Sequence, residues 1–472
     1  MDFLDELKWR GLFHQCTDEE GLRKHLAGGK RKAYVGFDPT ADSLTIGNLV
    51  PIMMLVHLRR AGHEPVVVMG GGTGLIGDPS GKSAERQLMT SDMVESNVAS
   101  QRRIFEGVFA NAPLMDQAAD GRAWDPPLIL NNADWLTKLS YVEVLRDVGK
   151  HFSVNMMIQK ESVKERLTGR EQGISYTEFS YMILQSFDFA HLHREMGVTV
   201  QMGGSDQWGN IVAGADLIRR QSAKATLTGD FQPVVATSGD LTDPATRAHA
   251  AKHGVTQVIA QPEAFGLTAP LVTKADGGKF GKTESGAVWL TADRTSPYAM
   301  FQFWLNALDD DVERFLKLFT LLPKERIDEL MQEHASNPGA RAAHRELARN
   351  ATAIVYGQAE AEQAESAAKA LFTGDVASLP EGVLREVFAE APSSEHDKGL
   401  LAGEGLALVD LLVETTLAKS KREAREFVGN GSVSVNGEKA APDRRVTTAD
   451  LLHGTAIALR RGKKAWHVTR WG

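Results

Sequence analysis

Several short stretches of this chain carry polar residues whose types and spacing could do chemistry. In GTGLIGDPSGKS (residues 72–83) the end matches a phosphate-binding loop, which needs two glycines separated by four residues, then Lys and Ser or Thr. Gly81, Lys82 and Ser83 fit, but Ile76 stands where the first glycine belongs and Gly77 comes one place late. The stretch is a damaged loop of that kind, a chance glycine-rich turn, or a different device for a nucleotide. In KFGKT (residues 279–283) two lysines lie three apart around Gly281. Such a loop either brings ammonium groups to phosphate oxygens or leaves two lysines in solvent. GFDPTADSLTIGN (residues 36–48) places Gly36 and Gly47 where a backbone or ligand could approach, and it opens a helix whose N-terminus favours anions. A plain tight turn before a helix reads the same way. Along the helical pattern of residues 175–192, Tyr181, Gln185 and Asp188 are four and three apart and share one face among Phe179, Met182, Ile183, Leu184, Phe187 and Phe189. That face is the wet side of a helix or the lining of a pocket. If it is buried, its polar groups need a polar ligand.

The elements that must position these residues follow an α/β pattern. AYVGF (33–37) and PVVVM (65–69) read as buried strands. Between them lies a helical run, with Ser43 or Asp42 to cap it and Gly62 to end it. Strand, helix and strand make a parallel βαβ unit. LIL (128–130) runs into NNADW, and VTVQM (198–202) runs into GGSDQWGN and a further helix. Each strand thus ends in small and polar residues, where an open α/β sheet binds its ligands. Residues 222–261 are irregular and read as a surface insertion, residues 296–379 are dominated by helical patterns, and the polar run 390–399 reads as a linker.

Composition bounds the rest. A chain of 472 residues with 42% hydrophobic and 24% charged residues is a soluble globular protein of several domains. The single cysteine, Cys16, rules out an internal disulfide and a cysteine-rich metal site, and suits a reducing cytosol. The N-terminus lacks signal-peptide order, and no apolar run nears the ~20 residues that span a bilayer. The expected location is the cytoplasm. Net charge is −8, yet residues 404–472 hold 12 Lys/Arg against 8 Asp/Glu. A basic tail on an acidic body is either chance or a surface for an anionic partner.

Together, GFDPTADSLTIGN, GTGLIGDPSGK, YTEFSYMILQSFDF, QMGGSDQWGN and KFGKTESGAVWL resemble the bacterial tyrosyl-tRNA synthetases, which are class I enzymes. The resemblance runs in order over nearly the whole chain. TIGN stands at the HIGH signature and KFGKT at KMSKS. The resemblance implies a Rossmann-type parallel-sheet catalytic domain over 1–270, with an insertion at 222–261. A KMSKS-type loop and connector (271–295) and an α-helical anticodon-arm domain (296–389) follow. A linker (390–403) and a small α+β RNA-binding domain of the S-four type (404–472) complete the chain. It also implies a homodimer, tRNA(Tyr), L-tyrosine, and ATP with magnesium, with no metal site of the chain's own.

Residue by residue, the resemblance gives Tyr34 and Asp188 to the substrate phenol. Asp78, Tyr181 and Gln185 go to its ammonium group, with Gln201 and Asn131 beside the same pocket. Gly36, Asp38, Pro39, Thr45, Gly47, Asn48, Gly204, Asp206 and Gln207 match the ATP-binding set. Thr40, Lys82, Arg86, Lys279, Lys282 and Thr283 match the set that handles phosphate. An acid such as Asp78 suits an ammonium and repels phosphate, which argues against a P-loop at residues 72–83.

Two departures stand out. Thr45 and Asn48 replace both signature histidines, and residues 222–261 are inserted. Asn48 can still donate to a ribose oxygen, whereas Thr45 is shorter than histidine and uncharged. In the tail, Lys419, Lys421, Arg422 and Arg425 gather near a helix start, Asn436–Gly437 reads as a hairpin turn, and RRGKK (460–464) adds charge. Such residues give salt-dependent, shape-directed RNA affinity. A synthetase for another aromatic amino acid and a non-catalytic RNA-binding relative are the alternative readings.

Overall fold

The computed structural model describes residues 2–78, 89–116, 124–159, 163–164, 174–225, 263–278, 280–283, 286–389, 391–462 and 465–472, with side chains except at 223–225, 282–283 and 372. The chain divides into two units. Met1–Arg294 with Leu308–Glu329 form the first, and Thr295–Ala307 with Leu330–Gly472 the second. The first therefore takes in residues 308–329 from the segment expected to be one helical domain.

The first unit is built on six strands: β1 (Gln15–Cys16), β2 (Lys32–Phe37), β3 (Glu64–Met69), β4 (Leu128–Asn131), β5 (Val198–Gly204) and β6 (Phe265–Ala269). Their order is β1-β6-β5-β2-β3-β4, parallel throughout except for the antiparallel edge strand β1. The order reverses at β2, which has β3 on one side and β5 on the other, so a crevice opens at the carboxyl ends of β2 and β5. Sheet residues Tyr34, Val66, Val68 and Val198 form one core with Phe189, Leu192 and Ile218 of the covering helices. Val-rich runs buried on both faces are what a parallel sheet demands.

The helix between β2 and β3 starts later than expected. Residues Ile46–Asn48 form a 3₁₀ turn and the α-helix spans Leu49–Arg60. Ser43 and Asp42 do not cap it, because the chain there is extended. The Leu290 amide donates to the Leu44 carbonyl (2.8 Å), the Ile46 amide to Val288 (2.9 Å), and Thr45 forms a bridge with Trp289. By contrast Ser175 caps helix Tyr176–Met196, accepting from the Glu178 amide (3.2 Å), and Gly197 ends that helix with φ +67°. Helix Trp208–Ala225 runs into the segment read as an insertion, whose residues 226–261 lie outside the described residues.

In the second unit, residues 391–403, within the expected linker 390–403, are structured. Ser393–His396 form a strand, β9, that pairs in parallel with β15 (Ala465–Trp471) at the edge of a five-stranded sheet. No apolar alternation marks SSEH as a strand. Its backbone pairs because it lies beside the last strand of the chain, and the Ser394 hydroxyl sits between His396 and His467 (2.7 and 2.9 Å). The remaining strands are β11 (Val433–Val435), β12 (Glu438–Lys439) and β14 (Ala456–Arg461). Asn436 and Gly437, at φ +49° and +95°, make the hairpin turn between β11 and β12. Helix residues Ala367 and Leu384, with Phe388 just past a helix end, share a core with Ala458 and Val468 of the sheet.

Candidate active site

The crevice of the first unit gathers residues from the ends of four strands and one helix. Its deep end is buried. Tyr34 points off β2, is 1% exposed, and packs on Phe189 at 5.6 Å between ring centres. Its hydroxyl has no hydrogen-bond partner among the described residues. Burial, and then the nearby Asp188 carboxylate, push its pKa well above the ordinary phenol value. Asp188, on helix Tyr176–Met196, is also buried. Its Oδ2 accepts from Asn132 Nδ2 (2.8 Å) and its Oδ1 from Trp135 Nε1 (2.7 Å). Burial raises its pKa to about 7 against the lowering effect of those two hydrogen bonds. Gln201, paired in register with Tyr34, is buried, and among the described residues its Oε1 has no hydrogen-bond partner, nor does Oε1 of Gln185.

A polar network runs from this end to the mouth. Asn132 Nδ2 also donates to Thr73 Oγ1 (3.0 Å), and Asn132 Oδ1 accepts from the Gly72 amide (2.7 Å). Thr73 Oγ1 donates to Asp38 Oδ1 (2.7 Å), and the buried Tyr181 hydroxyl donates to Asp38 Oδ2 (2.9 Å). Burial above all, then Asp38, hold the Tyr181 hydroxyl well above the usual phenol range. Asp78 is buried, and its Oδ2 accepts from Gln207 Nε2 (2.7 Å). Gln207 Oε1 in turn accepts from Asn210 Nδ2 (3.2 Å). Gly70 is required by this packing, since a Cβ there would sit 2.2 Å from Asp38 Oδ1.

The mouth is more open. Gly36 is exposed within an otherwise buried stretch of β2, and a Cβ there would meet nothing nearer than 3.9 Å. Gly47 is exposed as well, its nearest neighbour being Thr45 Oγ1 at 3.7 Å. Neither has the positive φ that demands glycine. Protein packing therefore explains neither, whereas a ligand pressed against the backbone would. Pro39 is buried below the mouth, where its carbonyl accepts from Asn97 Nδ2 (2.9 Å), and Thr40 and Asp206 are exposed. A Cβ on Gly204 would press on Asp206 Oδ1 at 2.6 Å.

The structure brings together Tyr34, Asp38, Asp78, Tyr181, Asp188, Gln201 and Gln207. It turns Asn131 elsewhere, with its Oδ1 accepting from the Ala133 amide (3.0 Å) while its neighbour Asn132 reaches Asp188. Lys82, Arg86 and Lys279, and the side chains of Lys282 and Thr283, lie outside the described residues. The backbone of Lys282–Thr283 pairs with Gly286–Ala287. Gly281, at φ +77°, sits against Ile46, whose Cγ2 would be 2.6 Å from an added Cβ. Sequence reasoning missed Asn132, Trp135 and Thr73. The only signal was their position in the polar runs that follow β4 and β3.

In the second unit Lys419, Lys421, Arg422 and Arg425 are all exposed around the start of helix Lys421–Gly429. Lys421 pairs with Asp410 (2.7 Å). Arg460 is turned inward over the Trp466 ring at 5.1 Å, and Lys463 and Lys464 lie outside the described residues.

Comparison with known proteins agrees with this geometry. Residues 27–373 match the family described as tRNA synthetases class I (W and Y), and residues 384–469 match the tyrosine–tRNA ligase SYY-like C-terminal domain. The chain is similar to the tyrosine–tRNA ligase of Bacillus caldotenax, 46% identical over the full length of both chains. It is 43% identical to that of Staphylococcus haemolyticus over 99% of each. Among solved structures it is similar to a C-terminally truncated Aspergillus nidulans mitochondrial tyrosyl-tRNA synthetase, with a TM-score of 0.65 and 30% identity over 79% of this chain and 94% of that one.

Proposed function

The chain belongs to the tyrosine–tRNA ligases of the class I tRNA synthetases, and from that premise we propose which of its side chains do each part of the work. It activates L-tyrosine with ATP to tyrosyl-adenylate and pyrophosphate, then transfers the tyrosyl group to the 3′ end of tRNA(Tyr). The nucleophile of the first step is the tyrosine carboxylate, which is ionised near neutral pH and needs no general base. The protein must align it with the α-phosphorus and supply positive charge as pyrophosphate leaves.

In this proposal the phenol hydroxyl lies between Tyr34 and Asp188. Asp78, Tyr181 and Gln185 face the ammonium group, and Gln201 lies beside them. Asn132 takes the place expected of Asn131, fixing Asp188 rather than touching substrate. Asp38, Gly36, Gly47, Asn48, Gly204, Asp206 and Gln207 line the nucleotide's side. Thr40, Lys82, Arg86, Lys279, Lys282 and Thr283 handle the phosphates. Magnesium arrives with ATP as part of that substrate and adds charge of the same sign. Lys419, Lys421, Arg422 and Arg425 meet tRNA phosphates.

The observation that carries the reading is the orphaned Tyr34 hydroxyl beside a fully held Asp188 carboxylate. A buried hydroxyl without a partner is costly, and the phenol of tyrosine supplies one while phenylalanine leaves it unpaired. Tyrosyl-tRNA synthetases are themselves the standing example of this rule. The test is amino-acid-dependent exchange of pyrophosphate into ATP. Exchange with tyrosine is expected, and exchange with tryptophan instead, or with no amino acid, overturns the reading.

A homodimer belongs to the same proposal. Tyr141, Val142, Leu145, Val154, Met156 and Ile158 are large apolar side chains left exposed within one short segment, the kind of patch that marks an interface. Light scattering should give twice the chain mass, and Val142→Glu should shift it towards the monomer. No described helix is long and apolar enough to cross a membrane. The proposed location is the cytoplasm.

A further inference from the structure

The turn that replaces both signature histidines is internally bonded in a specific way. The Thr45 backbone N–H and the Thr45 hydroxyl both donate to Asn48 Oδ1, at 3.1 and 3.0 Å, while the Asn48 amide donates to the Thr45 carbonyl at 2.9 Å. A backbone N–H can only donate, so the atom facing it is the carboxamide oxygen and the amide's orientation is settled. Both acceptor positions of that oxygen are used. Asn48 Nδ2 has no partner among the described residues, and the side chain is half-exposed. The backbone beneath is fixed by the pairing of residues 44–46 with 288–290. Thr45 has given away its one hydroxyl proton and keeps only acceptor capacity, which repels phosphate oxygens.

We propose that Thr45 does not hold phosphate but is a positioning residue for Asn48: its hydroxyl locks the Asn48 carboxamide so that the amide donor faces the nucleotide. Two neutral residues thus act as one donor, and the phosphate charge falls to Thr40 and the lysines. This rests on the nucleotide reading of the crevice mouth given above.

Tyrosine-dependent pyrophosphate exchange tests it, with ATP and tyrosine varied in turn. Thr45→Val keeps the backbone donor and the shape but loses the hydroxyl. It should raise the KM for ATP by roughly fivefold, the worth of one neutral hydrogen bond, with the tyrosine KM unchanged. Thr45→Ser should restore the wild-type value. Because the two residues act as a unit, Thr45→Val should add nothing to Asn48→Ala in the double variant. Effects that multiply, absence of rescue by serine, or a fall in kcat with ATP KM unchanged would overturn the proposal. Asn48→Asp covers the case in which Thr45→Val does not fold. It keeps an oxygen for Thr45 and puts an acceptor where the donor was, so the ATP KM should rise at least ~10-fold. No change there also overturns it. Wild-type protein without tyrosine-dependent exchange would refute the underlying reading instead, before any variant is compared.

Discussion

Asp188 and Asp38 stand at opposite ends of one hydrogen-bonded chain, joined through Asn132 and Thr73, and the protein treats them differently. Asp188 is sealed among apolar side chains and meets only neutral N–H donors, so ionising it is costly and its pKa climbs to about 7. Asp38 lies half-buried nearer the mouth, where two hydroxyls donate to it. The deep acid buys discrimination with stability. The acid near the mouth organises loops at little cost. A site can thus divide its labour by depth, with rigid, strained recognition at the bottom and satisfied, adjustable groups at the top.

The largest expected effect breaks the deep end. Asp188→Asn should raise the tyrosine KM by roughly 100-fold, the worth of a hydrogen bond to a charged group, while the ATP KM barely moves. Equal losses for both substrates would erase the distinction between the two ends. Its stability should move the other way. The folded pKa of Asp188 lies above the ordinary value, so the cost of ionisation is absent at low pH and grows as pH rises towards about 7. The melting temperature of Asp188→Asn relative to wild type should therefore improve from pH 5 to pH 8. A constant difference would show that burial does not strain this acid.

The same titration predicts that the wild-type tyrosine KM rises by roughly tenfold from pH 8 to pH 6, because the ionised carboxylate accepts a hydrogen bond from the substrate phenol. A flat profile would place the acid's pKa outside that window. Trp135→Phe removes one of the two donors and should cost ~5-fold in tyrosine KM. It should also move that pH profile upward, since the lost donor favoured the charged form. Tyr181→Phe should have the smallest effect, ~3-fold in tyrosine KM, because Asp38 keeps Thr73 as a partner. A loss as large as that of Asp188→Asn would make both ends alike.

The inner strands were readable because strands buried on both faces are short, apolar and bounded by turn residues, and the less buried β4 by its apolar run before NNADW. The expected runs at 33–37, 65–69, 128–130 and 198–202 each fall within an observed strand. Ser175 and Gly197 bracket a helix whose polar face was visible in the spacing of Tyr181, Gln185 and Asp188. What stayed hidden depends on contacts distant in sequence. Nothing local separates Asn131 from Asn132. Only the fold turns one to the Ala133 amide and the other to an acid 56 residues away. The late helix start is set by pairing with residues 288–290, and β9 by pairing with the chain's last strand. Lys279 and Lys282 stood out in the sequence by their spacing around Gly281, and Lys82 by its place after Gly81, whereas Arg86 came from the family resemblance alone; the side chains of all four lie outside the described residues.

That last pairing has a consequence for synthesis. Strand β15, residues 465–471, lies between β14 and β9 inside its sheet. The sheet cannot close while those residues are still within the ribosome. The first unit, complete by residue 329, can fold earlier in translation, whereas the tail's sheet must wait until residues 465–471 have emerged. A stop codon before residue 465 would leave the crevice intact and strip an inner strand from the tail's sheet. Such a chain should still activate its amino acid while failing to hold RNA.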